Sequence, residues 1–175
     1  MVGCMTDTQA EPVGTPPQIF SLEEPLEALW VKAYQGEVLG EVLFACLADR
    51  FDDPEKAHKM RVLSTMERVT KEALVEPLQR AGLSTEPDPE MLAAAESFAE
   101  GMAAMPWIDL VSSFEPVTAQ YAAMYAHIGE LDPSERATAD LLVAHELALR
   151  AFGRRESSGD GEGSLTEVLA LAHMP

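Results

Sequence analysis

The sequence predicts an all-α protein, and three features support this fold class. Alanine, leucine and glutamate are abundant, whereas the β-branched residues that favour strands are sparse. The sole Asp-Gly pair, Asp160-Gly161, lies between two helical patterns and not between alternating strands. Cap signals precede the long apolar-periodic segments, which is typical of helices joined by short loops.

The first two helices are predicted from the signals at their ends. Ser21 and Glu24 have the spacing of a capping box, so helix A is expected from this turn to about Arg50. Asp53-Pro54 combines an N-cap residue with a proline at the first helical position. Helix B is therefore expected to start there and to run to Gly82, which suits the left-handed position after a helix end.

The remaining helices are predicted in the same way. A third helix opens at Asp88-Pro89 and runs to about Met105, is interrupted at Pro106-Trp107 and then continues to about Leu131, so we treat it as one broken helix C. The segment Asp132–Glu135 combines a cap residue, a proline and an acidic residue, which predicts helix D over about 133–156. A loop rich in glycine and serine precedes a short C-terminal helix at about 164–173.

Four long helices with short connections predict an up-down four-helix bundle, because this arrangement buries four apolar stripes together. The chain has 175 residues, a length that fits one domain. We assign this domain to residues 21–175. Residues 1–20, which include several prolines and a glycine, are predicted to form a flexible N-terminal tail.

The charge of the chain excludes two classes of partner. It has 12 basic and 30 acidic residues, which gives a net charge of −18. Such a chain repels phosphate backbones and anionic lipid surfaces, so neither a nucleic-acid partner nor a membrane partner is expected. The two cysteines, Cys4 and Cys46, indicate no disulfide framework. Without a leader pattern or an apolar run of spanning length, the sequence predicts a cytoplasmic protein.

Three helices place a potential metal ligand among core residues. Glu37 falls inside the apolar stripe of helix A, Glu67 lies towards one side of the stripe of helix B, and His145 is in the middle of the stripe of helix D. A buried, unpaired carboxylate costs several kcal/mol and usually protonates or finds a cation. In a bundle the three side chains can converge, with oxygen and imidazole ligands suited to iron, manganese or zinc. The sequence therefore predicts a divalent metal site, with oxidoreductase chemistry as its use.

Further polar residues are expected to surround these ligands. They are Glu41, Thr70, Tyr121 and Glu146. Glu41 and Glu146 lie at the edges of their stripes, so we expect their head groups to reach solvent. Tyr121, with Tyr125 beside it, fits a packing aromatic whose hydroxyl is satisfied.

The order of three segments resembles the ferritin-like superfamily. The segments are GEVLGE on helix A, STMERVT on helix B and VAHELALRAF on helix D. In the di-iron members of that family, a glutamate from each of two helices joins a Glu-x-x-His pair from each of the other two. Glu37 matches the first-helix glutamate. Glu67-x-x-Thr70 has a threonine where the second-helix pair has histidine, and Leu142-x-x-His145 has a leucine where the last pair has glutamate.

This resemblance implies a ferritin-like bundle that binds iron or another divalent metal through the three matching positions. No glutamate of helix C matches the family pattern. The motifs therefore predict the fold more strongly than a coupled pair of irons, because fold alone does not determine chemistry.

Three alternatives follow from the same residues. His145 can pair directly with Glu37 or Glu67 as a structural contact without metal. A non-catalytic scaffold that acts as a homodimer or protein-interaction module is a second alternative, because helix A is also apolar on the face away from the site. The residues of that face are Val38, Leu39, Val42, Leu43 and Cys46. The third alternative is a small-molecule pocket lined by Trp107, Phe114 and Tyr121.

Overall fold

The structure is a computed structural model, and it describes residues 18–172. Within that range it contains helices and no strand, which confirms the predicted all-α class. The α-helices are α1 (Leu26–Arg50), α2 (Pro54–Arg80), α3 (Pro89–Ala103), α4 (Trp107–Ser112), α5 (Phe114–Leu131), α6 (Arg136–Ser158) and α7 (Thr166–Ala172). Most of the predicted tail, Cys4 and the end of the predicted last helix lie outside the described residues.

The long helices pack in two pairs. Helix α1 packs along α2, and α5 packs along α6. The pairs meet through contacts of α1 with α5 and of α2 with α6, while α3 lies against α1. The short helices α4 and α7 both pack against α6. None of the helices in residues 18–172 has the length and apolar character required to cross a membrane.

Two apolar clusters occupy the interior, and each long helix contributes to both. One cluster includes Phe44, Leu63 and Phe152. The other includes Leu29 and Leu142, together with residues of α2 and α5. Between its contributions to the two clusters, each of α1, α2 and α6 has a short segment with buried polar residues. The candidate site is therefore a polar layer between two apolar ones.

The predicted ends of α2 are confirmed. The carboxylate of Asp53 accepts hydrogen bonds from the backbone N–H groups of Glu55 and Lys56. At the other end Gly82 has φ of 71°, which glycine adopts without the steric penalty of a side chain. The N–H of Leu83 donates to the carbonyl of Leu78 at 2.9 Å, which completes the expected helix C-terminus.

The start of α1 differs from the prediction. The N–H of Ser21 donates to the Glu24 carboxylate at 2.6 Å, as the capping-box spacing suggests. These residues form a turn, however, and α1 begins only at Leu26. Pro25 explains the delay, because proline disfavours helical backbone at the residue before it. Just upstream, the N–H of Ile19 donates to Gln120 on α5, so the last residues of the predicted tail contact the helices.

The prediction of a single broken helix C is wrong. The chain does break at Pro106, as expected, but α3 and α5 have different principal partners. Helix α5 pairs with α6, whereas α3 lies along α1 and covers its second apolar face. Buried Ala95 and Ala99 of α3 belong to the same cluster as Leu43, and Leu39 packs against it. The apolar face that suggested a homodimer is thus covered within the chain, and the homodimer stays a prediction without that support.

Candidate functional site

The polar layer contains six buried side chains from four helices. They are Glu37 on α1, Glu67 and Thr70 on α2, Tyr125 on α5, and His145 and Glu146 on α6. Each of them is at most 5% exposed. Ionisable groups at this depth must be paired or neutralised, because burial removes the water that stabilises their charge.

Two glycines of α1 make room for this layer. A Cβ atom at Gly40 would lie 2.5 Å from the carboxyl carbon of Glu67, and one at Gly36 would lie 3.0 Å from the ring of Tyr121. The absence of a side chain at Gly40 therefore lets the Glu67 carboxylate approach the backbone of α1. The glycines flank Glu37 in the segment GEVLG, so this helix presents both a carboxylate and the space beside it.

Both carboxylate oxygens of Glu37 have protein partners. The Thr70 hydroxyl donates a short hydrogen bond to Oε2, and the Tyr125 hydroxyl donates to Oε1 at 2.9 Å. Burial alone would raise the pKa of Glu37, but the attraction of His145 and these hydrogen bonds outweigh it. The pKa of Glu37 is therefore below its ordinary value, and the group is a carboxylate near neutral pH.

His145 lies between the two carboxylates. Its Nδ1 is 3.4 Å from Glu37 Oε2, and its Nε2 is 3.2 Å from Glu67 Oε1. These distances fit ion pairs, but neither contact has the geometry of a well-formed hydrogen bond, so both buried nitrogens lack one. Burial alone would lower the pKa of His145, because it disfavours the charged imidazolium. The attraction of the two carboxylates is stronger and raises the pKa of His145 well above its ordinary value. The imidazolium is thus the cation that compensates Glu37.

The other two carboxyl groups are less well compensated. Burial raises the pKa of Glu67 to about 7, with Glu37 adding repulsion and His145 opposing the shift. Burial also raises the pKa of Glu146 well above its ordinary value. Glu146 makes no hydrogen bond or ion pair within residues 18–172, and it lines a cavity. One imidazolium is therefore the shared counter-ion of three buried carboxyl groups.

The layer has the donor set of a metal site. Glu37, Glu67 and His145 each offer one ligand atom, and these atoms all lie within 4.8 Å of one another. Two carboxylates and an imidazole suit iron, manganese or zinc. The two ring nitrogens without a good hydrogen bond also fit this use, because a metal ligand uses one nitrogen and leaves the other to a carboxylate. The residues present are therefore compatible with one divalent ion.

A cavity of about 430 Å³ reaches this layer from the surface. Helices α3 and α5 both pack on α1 but make little contact with each other, and the cavity lies between them. Phe98 of α3 and Val117 of α5 line it and are 53% and 43% exposed, so they mark its mouth. The carboxyl groups of Glu37, Glu67 and Glu146 line its buried end.

The structure brings together the three predicted metal ligands and three of the four surrounding residues, Thr70, Tyr121 and Glu146. Thr70 contacts Glu37 directly, and Tyr121 lines the cavity with its ring against Gly36. The expectation that Glu146 reaches solvent is wrong, since it is 5% exposed. Glu41 lies outside the cluster, and its carboxylate pairs with Lys71 at the half-exposed surface.

The prediction for Tyr125 is confirmed, whereas one other aromatic prediction needs correction. Tyr125 packs in the core, and its hydroxyl is satisfied by the Glu37 carboxylate. Tyr125 follows Tyr121 by four residues on α5, and this spacing was the signal in the sequence for the contact. It places both rings on the face of α5 that turns towards α1. Trp107 does not line the predicted pocket; its ring packs near Phe51 and Phe152, and its Nε1 donates to Glu156 at 2.8 Å. Phe114 and Tyr121 do line the cavity.

Comparisons with protein-family models, with curated proteins and with solved structures found no significant match to this chain. The function of the polar layer must therefore be inferred from its own geometry.

Proposed function

We propose that the protein binds one divalent metal ion, iron or manganese, through Glu37, Glu67 and His145. The observation that carries this proposal is that their ligand atoms lie within 4.8 Å of one another and belong to buried side chains. The ligands come from α1, α2 and α6, as the resemblance to ferritin-like four-helix bundles implies. A divalent ion would neutralise the charge of two buried carboxylates, which a single imidazolium leaves partly uncompensated.

The surrounding residues have defined tasks in this proposal. Thr70 and Tyr125 hold the Glu37 carboxylate in one orientation through their hydrogen bonds, and such outer contacts commonly strengthen metal binding. Gly40 leaves the space in which the Glu67 carboxylate lies. A bound iron would supply one-electron redox chemistry. The protein's own part is to hold the ion and to release or take up the protons of His145 and Glu67.

Metal loading should respond to the proposed ligands and not to a neighbouring carboxylate. We expect the wild-type protein to bind about one Mn²⁺ per chain, and to gain about 2.7 kcal/mol of stability at a free Mn²⁺ concentration of 100 times Kd. Glu67→Gln and His145→Gln should lose both effects. Glu41→Gln is the matched control, because Glu41 lies one helical turn from Glu37 but pairs with Lys71. Titration calorimetry and thermal unfolding measure the two effects; substoichiometric metal unaffected by Glu67→Gln would contradict the proposal.

Metal binding should also release protons, in a number that depends on pH. The pKa of His145 is well above its ordinary value and that of Glu67 is about 7. Metal ligands must be deprotonated, and Glu67 is largely protonated at pH 6 and largely ionised at pH 8, so the release at pH 6 should exceed that at pH 8 by about one proton from this group. Calorimetric titration of Mn²⁺ in buffers of different ionisation enthalpy counts these protons. A release that does not change between pH 6 and pH 8 would contradict the assignment of Glu67 as a ligand.

A metal-free scaffold is the second candidate, and the position of His145 favours it. The imidazole contacts Glu37 and Glu67 through different nitrogens, at 3.4 and 3.2 Å, so it already links α1, α2 and α6. In that case the layer would specify how the helices pair, and Mn²⁺ would not change the stability of the protein.

A further inference from the structure

The cavity between α3 and α5 has an unusual charge pattern. Its walls are largely apolar and include Phe44, Met102 and Phe114, whereas three carboxyl groups line its buried end. No lysine or arginine is among the residues that line it. Its volume of about 430 Å³ lies within the range of small-molecule sites, roughly 300–1,000 Å³. A cationic group would meet carboxyl oxygens and no competing lysine or arginine at this end.

The contacts of Glu146, one of these three carboxyl groups, supply a second observation. This side chain is 5% exposed, lines the cavity and has no hydrogen bond or ion pair within the described residues. Buried carboxyl groups are normally satisfied by a partner, since an unmet one costs free energy. Glu146 is also not among the three proposed metal ligands. It is therefore available to a molecule that enters the cavity.

We propose that this cavity binds a small organic cation, an amine with an apolar chain. The ammonium group would hydrogen-bond to the carboxyl group of Glu146 and favour its ionised form, and the rings of Tyr121 and Tyr125 would add a favourable contact with the cation. The chain would lie along the apolar wall towards the mouth at Phe98 and Val117. This inference goes beyond the proposed metal site and does not require a bound metal.

The experiment compares three eight-carbon probes that differ in charge. They are n-octylamine, n-octanol and octanoate, titrated calorimetrically into the full chain in the presence of a chelator. We expect octylamine to bind at least tenfold more tightly than octanol, and octanoate to bind more weakly than both. Equal binding of octylamine and octanol, or no binding of octylamine, would overturn the proposal.

Variants separate a specific site from the general attraction of an acidic protein. Glu146→Gln should lower octylamine affinity at least tenfold and leave octanol affinity unchanged, whereas Glu41→Gln outside the cavity should change neither. Val117→Arg at the exposed mouth should also weaken octylamine binding, and it keeps the test decisive if Glu146→Gln does not fold. Octylamine binding that neither cavity variant weakens would overturn the proposal. The octylamine titration is then repeated with Mn²⁺ in place of the chelator. Loss of octylamine binding in the chelator overturns the amine site alone, because that site does not require a metal.

Discussion

Replacement of His145 by glutamine is expected to reduce the free energy of unfolding by about 3–5 kcal/mol at pH 6 in the absence of metal. The imidazolium is the cation of the polar layer, with Nδ1 facing Glu37 and Nε2 facing Glu67 at 3.4 and 3.2 Å. Glutamine retains hydrogen-bonding groups but carries no charge. The variant therefore leaves Glu37 as a buried carboxylate without a counter-ion.

The pH dependence of this loss has a definite sign. The pKa of His145 is raised in the folded state, so its stabilising contribution is fully present below about pH 6.5 and is lost as the pH rises through the folded-state value. The difference between wild type and His145→Gln should therefore be largest at pH 6 and should shrink towards higher pH. Urea denaturation at several pH values measures it. A loss below about 1 kcal/mol, no larger than that of the control Glu41→Gln at a partly exposed ion pair, would contradict the role of His145.

Replacement of Glu67 by glutamine is expected to have the opposite effect and to stabilise the metal-free protein by about 3 kcal/mol at pH 8. The pKa of Glu67 is raised from 4.5 to about 7, chiefly by burial. Above pH 7 the folded protein must therefore keep a charge that burial disfavours. Glutamine has nearly the same shape and removes that charge.

This prediction also follows from linkage. A raised carboxyl pKa means that the folded state binds the proton more tightly than the unfolded state, so stability falls as the pH rises from about 4.5 to 7. The gain from Glu67→Gln should thus be within about 1 kcal/mol at pH 5 and reach its full size at pH 8. Glu37→Gln is the informative contrast, because the pKa of Glu37 is lowered and its removal should destabilise the protein at pH 8. Equal effects of the two substitutions would contradict the difference between these carboxylates.

Helix ends and helix faces could be predicted from the sequence because both depend on local patterns. Asp53 and Gly82 mark the ends of α2 through backbone chemistry that no distant residue alters. The meeting of Glu37, Glu67 and His145 also follows from helical spacing, since each lies on or beside an apolar stripe.

The burial and contacts of the other site residues depend on which helix covers which face of its neighbours. Glu41 and Glu146 have similar positions at the edges of their stripes, yet one pairs with a half-exposed lysine and the other is buried. The separation of α3 from α5 was not predictable either, because the break at Pro106 does not fix the angle between the helices on either side of it. The roles of Tyr125 and Gly40 appear only once the neighbouring helices are in place.

The central claim is that the buried Glu37, Glu67 and His145 hold a divalent ion. A crystal structure of the protein grown with Mn²⁺, with an anomalous difference map, tests it most directly. We expect one anomalous peak at about 2.0–2.3 Å from an oxygen of each carboxylate and from one nitrogen of His145. A map without a peak in this layer, with the imidazole still placed between the two carboxylates, would contradict the metal site and favour the scaffold.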